Sequence, residues 1–147
     1  MEPWLKAALA GGVCIGAHYM FLRAASGKIG DSLGALVLEG TATLGILAAY
    51  LAMPRGEAVG TTRVGVVYAA LSGLMISGAS ILLFYALRRG GPVASTGTVV
   101  LGGGVTLSAL LAPVLFGEPF TARRGLGVAL GVCAIFVLSS EGRAATP

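Results

Sequence analysis

The sequence predicts an all-α fold: a polytopic membrane bundle of five transmembrane helices. Three observations carry this. The 147 residues are 56% hydrophobic and 11% charged, with a mean hydropathy of +0.90, whereas a soluble domain carries about 25% charged residues. Apolar runs near the ~20 residues that span a hydrocarbon core as a helix occur five times. The basic residues fall singly or in pairs between those runs, as flanks of membrane helices do. The 24 glycines do not signal disorder, because the apolar content is far too high for it.

The first span covers 4–22. Its start, "MEPWLK", is weakly basic and also acidic, and no small-residue cleavage site leads into a polar mature domain, so it reads as a span rather than a signal peptide. The second covers 33–53 and is closed by Pro54. The third covers 64–87, closed by Arg88-Arg89-Gly90-Gly91-Pro92. The fourth covers 93–116, closed by Gly117-Glu118-Pro119. The fifth covers 122–140, with an apolar centre from Leu126 to Leu138 and Thr121 as its N-cap. The connections "RAASGKIGDS", "PRGEAVGTTR", "RRGGP" and "GEPFTARRG" are too short for a soluble domain. Residues 1–147 therefore read as one transmembrane domain with a frayed tail, "EGRAATP".

Small residues recur at helix-packing spacing: Gly12 with Gly16, Gly73 with Ser77, and Gly127 with Gly131. Such pairs let backbones approach closely in lipid. The fourth span differs, with Gly102-Gly103-Gly104 followed by Pro113. It reads either as a close-contact helix or as a hinge that lines a cavity, since irregular backbone in a membrane must be satisfied by protein or water.

Composition also excludes function classes. The net charge of +4 is dispersed, so no basic, aromatic-lined face for nucleic acid exists. Cys14 and Cys133 lie in apolar runs and read as buried small hydrophobes. One His and two distant Cys give no metal spacing. No nucleophile–base pair or phosphate loop suggests an enzyme, and no cofactor is expected. Five spans place the termini on opposite sides of the membrane. Lys6, Arg55, Arg63, Arg123 and Arg124 then fall on one side, and Arg23, Lys28, Arg88, Arg89 and Arg143 on the other. This balance removes the usual orientation signal. Two readings follow: insertion both ways, with an antiparallel homodimer, or a fixed orientation set by something other than charge.

Glu39 is the one acid well inside a span, in "GALVLEGTATLG" (Gly34 to Gly45). Counted from Leu33 it lies about 9 Å into the helix at 1.5 Å per residue. Intramembrane carboxylates are costly and mark ion pathways. Its helical neighbours Ser32, Ala35, Ala42 and Thr43 form a small, partly polar face expected to turn inward, with Ser32 and Thr43 lining a cavity. Glu39 is either a carboxyl that exchanges a proton for a cation, or a hydrogen-bonded group that joins helices. His18 is expected on the same side of the midplane, either as a proton-relay partner or as an interfacial residue among headgroups. Trp4, Tyr19, Tyr50, Tyr68, Phe84 and Tyr85 read chiefly as an aromatic belt.

The end of the chain, "LFGEPFTARRGLGVALGVCAIFVL", resembles the last two helices of an EamA-type domain of the drug/metabolite transporter superfamily. Gly117, Glu118, Pro119 and Gly127 carry the likeness. "FYALRRGGPVAST" resembles the family's third-to-fourth connection, and "SGKIGDSLGALVLEG" its first-to-second more loosely. Most members carry two such domains in one chain; this chain carries one. The resemblance therefore implies an inverted partner, either a second copy or a paralogue, as in the related small multidrug resistance proteins. Those have four helices, and the fifth span and Gly-Glu-Pro set this chain apart from them. The resemblance marks Glu118 as a signature position, although beside Arg123 and Arg124 its chemistry reads as a structural anchor for the turn. The implied function is a secondary transporter in a prokaryotic inner (plasma) membrane, a proton-coupled exporter of small metabolites or drugs working by alternating access. The alternatives are a flippase or flippase subunit for a lipid-linked head group, and a structural partner of another membrane protein.

Overall fold

The computed structural model describes residues 2–52 and 61–144, with side chains described through residue 140. It is all-helical, with no strand among the described residues. Five helices are long and apolar enough to cross a membrane: α1 (Pro3–Ala25), α2 (Asp31–Ala52), α3 (Arg63–Arg88), α4 (Val93–Phe116) and α5 (Ala122–Ala144). They match the predicted spans to within a turn. The expected stop at Pro54 and the position of Arg55 lie outside the described residues. At the other end α5 continues to Ala144, so the first part of the tail is helical rather than frayed; residues 145–147 lie outside the described ones.

The chain folds as two compact units. One is Ala25–Arg88, which contains α2 and α3. The other combines Met1–Ala24 with Arg89–Pro147, and so contains α1, α4 and α5.

In the first unit α2 and α3 form an antiparallel hairpin. Asp31 stands in the first turn of α2, where a negative charge complements the helix dipole. The burial of α2 falls on Asp31, Gly34, Ala35, Leu38 and Glu39, a single stripe at helical spacing. On α3 the matching stripe is Ser80, Leu83, Phe84 and Leu87, and Leu87 is fully buried. The Phe84 ring lies over Gly34, where a Cβ would stand 2.8 Å from its Cε1 and Cζ. Only glycine admits this contact. The stripes occupy one end of the hairpin: α2 from Gly40 to Ala52 and α3 from Arg63 to Ile76 are exposed throughout.

In the second unit α4 is one span in three parts. An α segment (Val93–Gly97) passes through a π-helical turn (Thr98–Gly102) into a second α segment (Gly103–Phe116). The π turn abuts the three glycines, where the lack of side chains lowers the steric barrier to a wider backbone. Tyr19 of α1 is buried against the start of α4, its ring 3.2 Å from where a Cβ on Gly97 would stand. α4 and α5 pack through small residues: a Cβ on Gly102 would meet Ile135 at 3.3 Å, and one on Gly131 would meet the Thr106 hydroxyl at 3.0 Å.

The connection from α4 to α5 gives Gly-Glu-Pro a structural meaning. Gly117 adopts a left-handed φ of 66° and its N–H donates to the Pro113 carbonyl at 3.1 Å, ending the helix. Pro119 follows, where the helix is already over. Thr121 then caps α5, its Oγ1 accepting the Arg124 N–H at 3.2 Å.

Candidate functional site

Two polar pairs join α2 to α3, and one register produces both. At the hairpin's packed end the Arg88 guanidinium grips the Asp31 carboxylate, with Nε donating to Oδ1 at 2.8 Å and Nη2 to Oδ2 at 2.7 Å. Arg88 also lies over the Tyr85 ring at 5.6 Å, a cation–π geometry. Eight residues along α2 from Asp31 is Glu39; eight residues back along α3 from Arg88 is Ser80. In an antiparallel pair equal steps meet, and Ser80 Oγ donates to Glu39 Oε1 at 2.5 Å.

Because α2 begins at Asp31 rather than Leu33, Glu39 lies deeper than the sequence count suggests, about 12 Å from the helix start at 1.5 Å per residue. Glu39 is half-buried and Ser80 is buried. The pair therefore combines a carboxyl with a hydroxyl inside a candidate span. A protonated carboxyl is neutral there. An ionised one presents two oxygens, and the neighbouring hydroxyl oxygen can turn to act as a further acceptor. The group can thus hold a proton or a cation, one at the expense of the other.

The face expected to surround Glu39 is only partly inward. Ala35 is buried, but Ser32, Ala42 and Thr43 are exposed. Ala42 shares the phase of the stripe but lies beyond Gly40, where α2 is exposed throughout; helical phase explains the other two. At about 100° per residue, Glu39 sits at the edge of the buried stripe, and Ser32 and Thr43 fall beyond that edge. The Thr43 hydroxyl turns back to the Glu39 carbonyl at 2.8 Å.

His18 belongs to the second unit, half-buried and edge-on to Tyr19 with ring centroids 5.5 Å apart. Of the aromatics assigned to a belt, Trp4, Tyr50, Tyr68 and Tyr85 are exposed, whereas Tyr19 and Phe84 are core residues, each seated on a glycine. Cys14 and Cys133 are free, and both are exposed rather than buried. They point out of the chain, where an apolar thiol suits a hydrocarbon surrounding.

Among the glycines, Gly103 and Gly104 have no atom within 4 Å of a Cβ position, and neither do Gly12, Gly16, Gly73 and Gly127. The Ser77 hydroxyl bonds the Gly73 carbonyl at 2.9 Å. Among the described residues, Gly131 is the one glycine of these pairs where an added Cβ would meet another helix, at the Thr106 hydroxyl. Pro113 sits within α4, where it removes the backbone donor for the carbonyl one turn earlier. Glu118 accepts from Arg124 Nη2 at 2.5 Å, the ion pair expected of a turn anchor.

Ser80 and the Asp31–Arg88 pair were not among the residues singled out in the sequence. The signal for them is the hairpin register: two opposite charges at the hairpin's end, then equal counts inward. Comparisons with protein-family models, with curated proteins and with solved structures found no match to the chain.

Proposed function

We propose that the chain is a secondary membrane transporter, a proton-coupled exporter of small metabolites or drugs, and that Glu39 is its coupling site. The observation that carries this reading is the Ser80–Glu39 hydrogen bond within a candidate span. A carboxyl is expensive in hydrocarbon, and a hydrogen bond alone could be made more cheaply by two hydroxyls. A carboxyl that trades a proton for a cationic group repays its cost through function. The EamA-like features of the sequence point the same way.

Alternating access needs an element with two arrangements. The π turn of α4, flanked by Gly103 and Gly104, supports assigning that role to α4. The balanced Lys/Arg distribution supports an inverted partner, a second copy or a paralogue, that supplies the other half of the pathway. The extensive exposed apolar surface of α2 and α3 is open to such a partner or to lipid.

The test is Glu39→Gln. Glutamine keeps an oxygen for the Ser80 hydroxyl to reach, so the hairpin should survive. Substrate-driven proton flux in proteoliposomes should be abolished while oligomeric state is unchanged. Unaltered flux removes Glu39 from the mechanism. Flux that depends on a lipid-linked head group moves the reading to a flippase. Reporters fused to the C terminus test the inverted partnership: signal from one side only excludes a dual-topology homodimer.

A further inference from the structure

We propose that the groove along α4 and the start of α5 seats an anionic phospholipid, with an acyl chain against α4 and its phosphate on Arg124. This rests on membrane residence and is independent of the transport reading. The groove has a volume of about 590 Å³ and runs past Gly104, Leu107, Leu111, Leu115 and Phe116 to Glu118 and Arg124. A smaller crevice of about 300 Å³ shares Val105, Ala109 and Arg124 with it and continues between α4 and α5. From Gly104 to Phe116 the helix rises about 18 Å at 1.5 Å per residue, close to the ~15 Å of one leaflet's hydrocarbon. The length is that of an acyl chain, and the polar end lies at the helix boundary, where headgroups lie.

The charge at that end selects the head. Arg124 commits Nη2 to Glu118, but its Nη1 is shielded from solvent and has no acceptor. A shielded cationic donor without a partner is costly to leave unmade. Arg123, Arg124 and Glu118 together leave one net positive charge, and the first turn of α5 adds the positive end of its dipole. The Arg124 side chain as a whole is 26% exposed, and a rotation of it turns Nη1 toward a phosphate oxygen, which supplies the missing acceptor. An anionic lipid does so without bringing the second cation of a choline head.

The test uses the full chain, delipidated in neutral detergent and titrated with dioleoyl phosphatidylglycerol or dioleoyl phosphatidylcholine, with bound lipid read by native mass spectrometry. The anionic lipid should be retained about tenfold more strongly, the scale of one charge-assisted hydrogen bond. Arg124→Gln should erase that preference, and Arg123→Gln should leave it. Glu118→Gln, which frees the guanidinium, should strengthen it. Ala112→Trp fills the groove without touching the guanidinium and should weaken retention of both lipids, which keeps the test decisive if Arg124→Gln does not fold. Equal retention of the two lipids overturns the proposal, as does an Arg124→Gln chain that keeps the preference or an Arg123→Gln chain that loses it. Displacement of the lipid by inorganic phosphate assigns the site to a small anion instead. An Ala112→Trp chain that binds lipid normally but loses a dimer assigns the groove to a second copy.

Discussion

The α2–α3 hairpin and the α4–α5 pair solve helix packing by opposite means. The hairpin is joined by directional side-chain bonds, Asp31 to Arg88 and Glu39 to Ser80, around a ring seated on one glycine. Each contact permits one register. The α4–α5 pair meets at glycines, Gly102 against Ile135 and Gly131 against Thr106, and the Arg124–Glu118 ion pair lies at the connecting turn. Dispersion between smooth surfaces discriminates weakly among registers, and α4 carries a π turn within its length. On the proposed transport reading, the difference would separate two tasks: the hairpin would hold Glu39 in place, and α4 would have the looser construction that a change of arrangement requires.

The comparison can be broken most severely at Gly34. Gly34→Val drives a side chain into Phe84 and should destabilise the protein by about 3 kcal/mol, the upper end for overpacking, read as reversible unfolding in detergent by circular dichroism. A loss below the error of that measurement means the hairpin is not held by this contact. Next is Ser80→Ala, expected to cost about 1–2 kcal/mol by leaving the Glu39 carboxyl short of a donor. The same change in a Glu39→Gln background should cost less, because the partner that Ser80 supports has already been altered. Equal costs in the two backgrounds argue that Ser80 contributes packing alone. Thr121→Ala removes the cap of α5 and should cost about 1 kcal/mol without altering transport. The smallest effect is expected at Gly103→Ala, which meets open space and should change stability by less than about 1 kcal/mol, in the stabilising direction. If α4 moves, that variant should nevertheless slow transport, and a transport rate equal to the parent's would place the motion elsewhere.

The spans were legible because membrane length and hydropathy are local properties: a helix of some twenty apolar residues announces itself without knowing its neighbours. The Thr121 cap was legible for the same reason, since the hydroxyl and the N–H it accepts are three residues apart. Ser80 was not, because which residue faces Glu39 depends on hairpin register, fixed by a salt bridge and a ring contact between distant parts of the chain. The inward face of α2 was misplaced for a related reason: a polar residue marks a face of interest but does not say whether it stands at the centre or the edge of the buried stripe. The aromatic belt failed at Tyr19 and Phe84, where the glycine opposite each ring decides its place.

The π turn at Thr98–Gly102 has a consequence for the helix beyond it. A π turn is an α-helix that has absorbed one extra residue. At about 100° per residue, that insertion re-phases every side chain that follows. The compass bearing of Thr106, Leu111 and Pro113 is therefore set by a single added position upstream. Deleting one residue from Thr98–Gly102 should yield an unbroken α-helix of almost the same length and hydropathy. It would still insert, yet its second half would present a different set of residues to α5. In this span a deletion works as a rotation, and function could be lost with membrane insertion untouched.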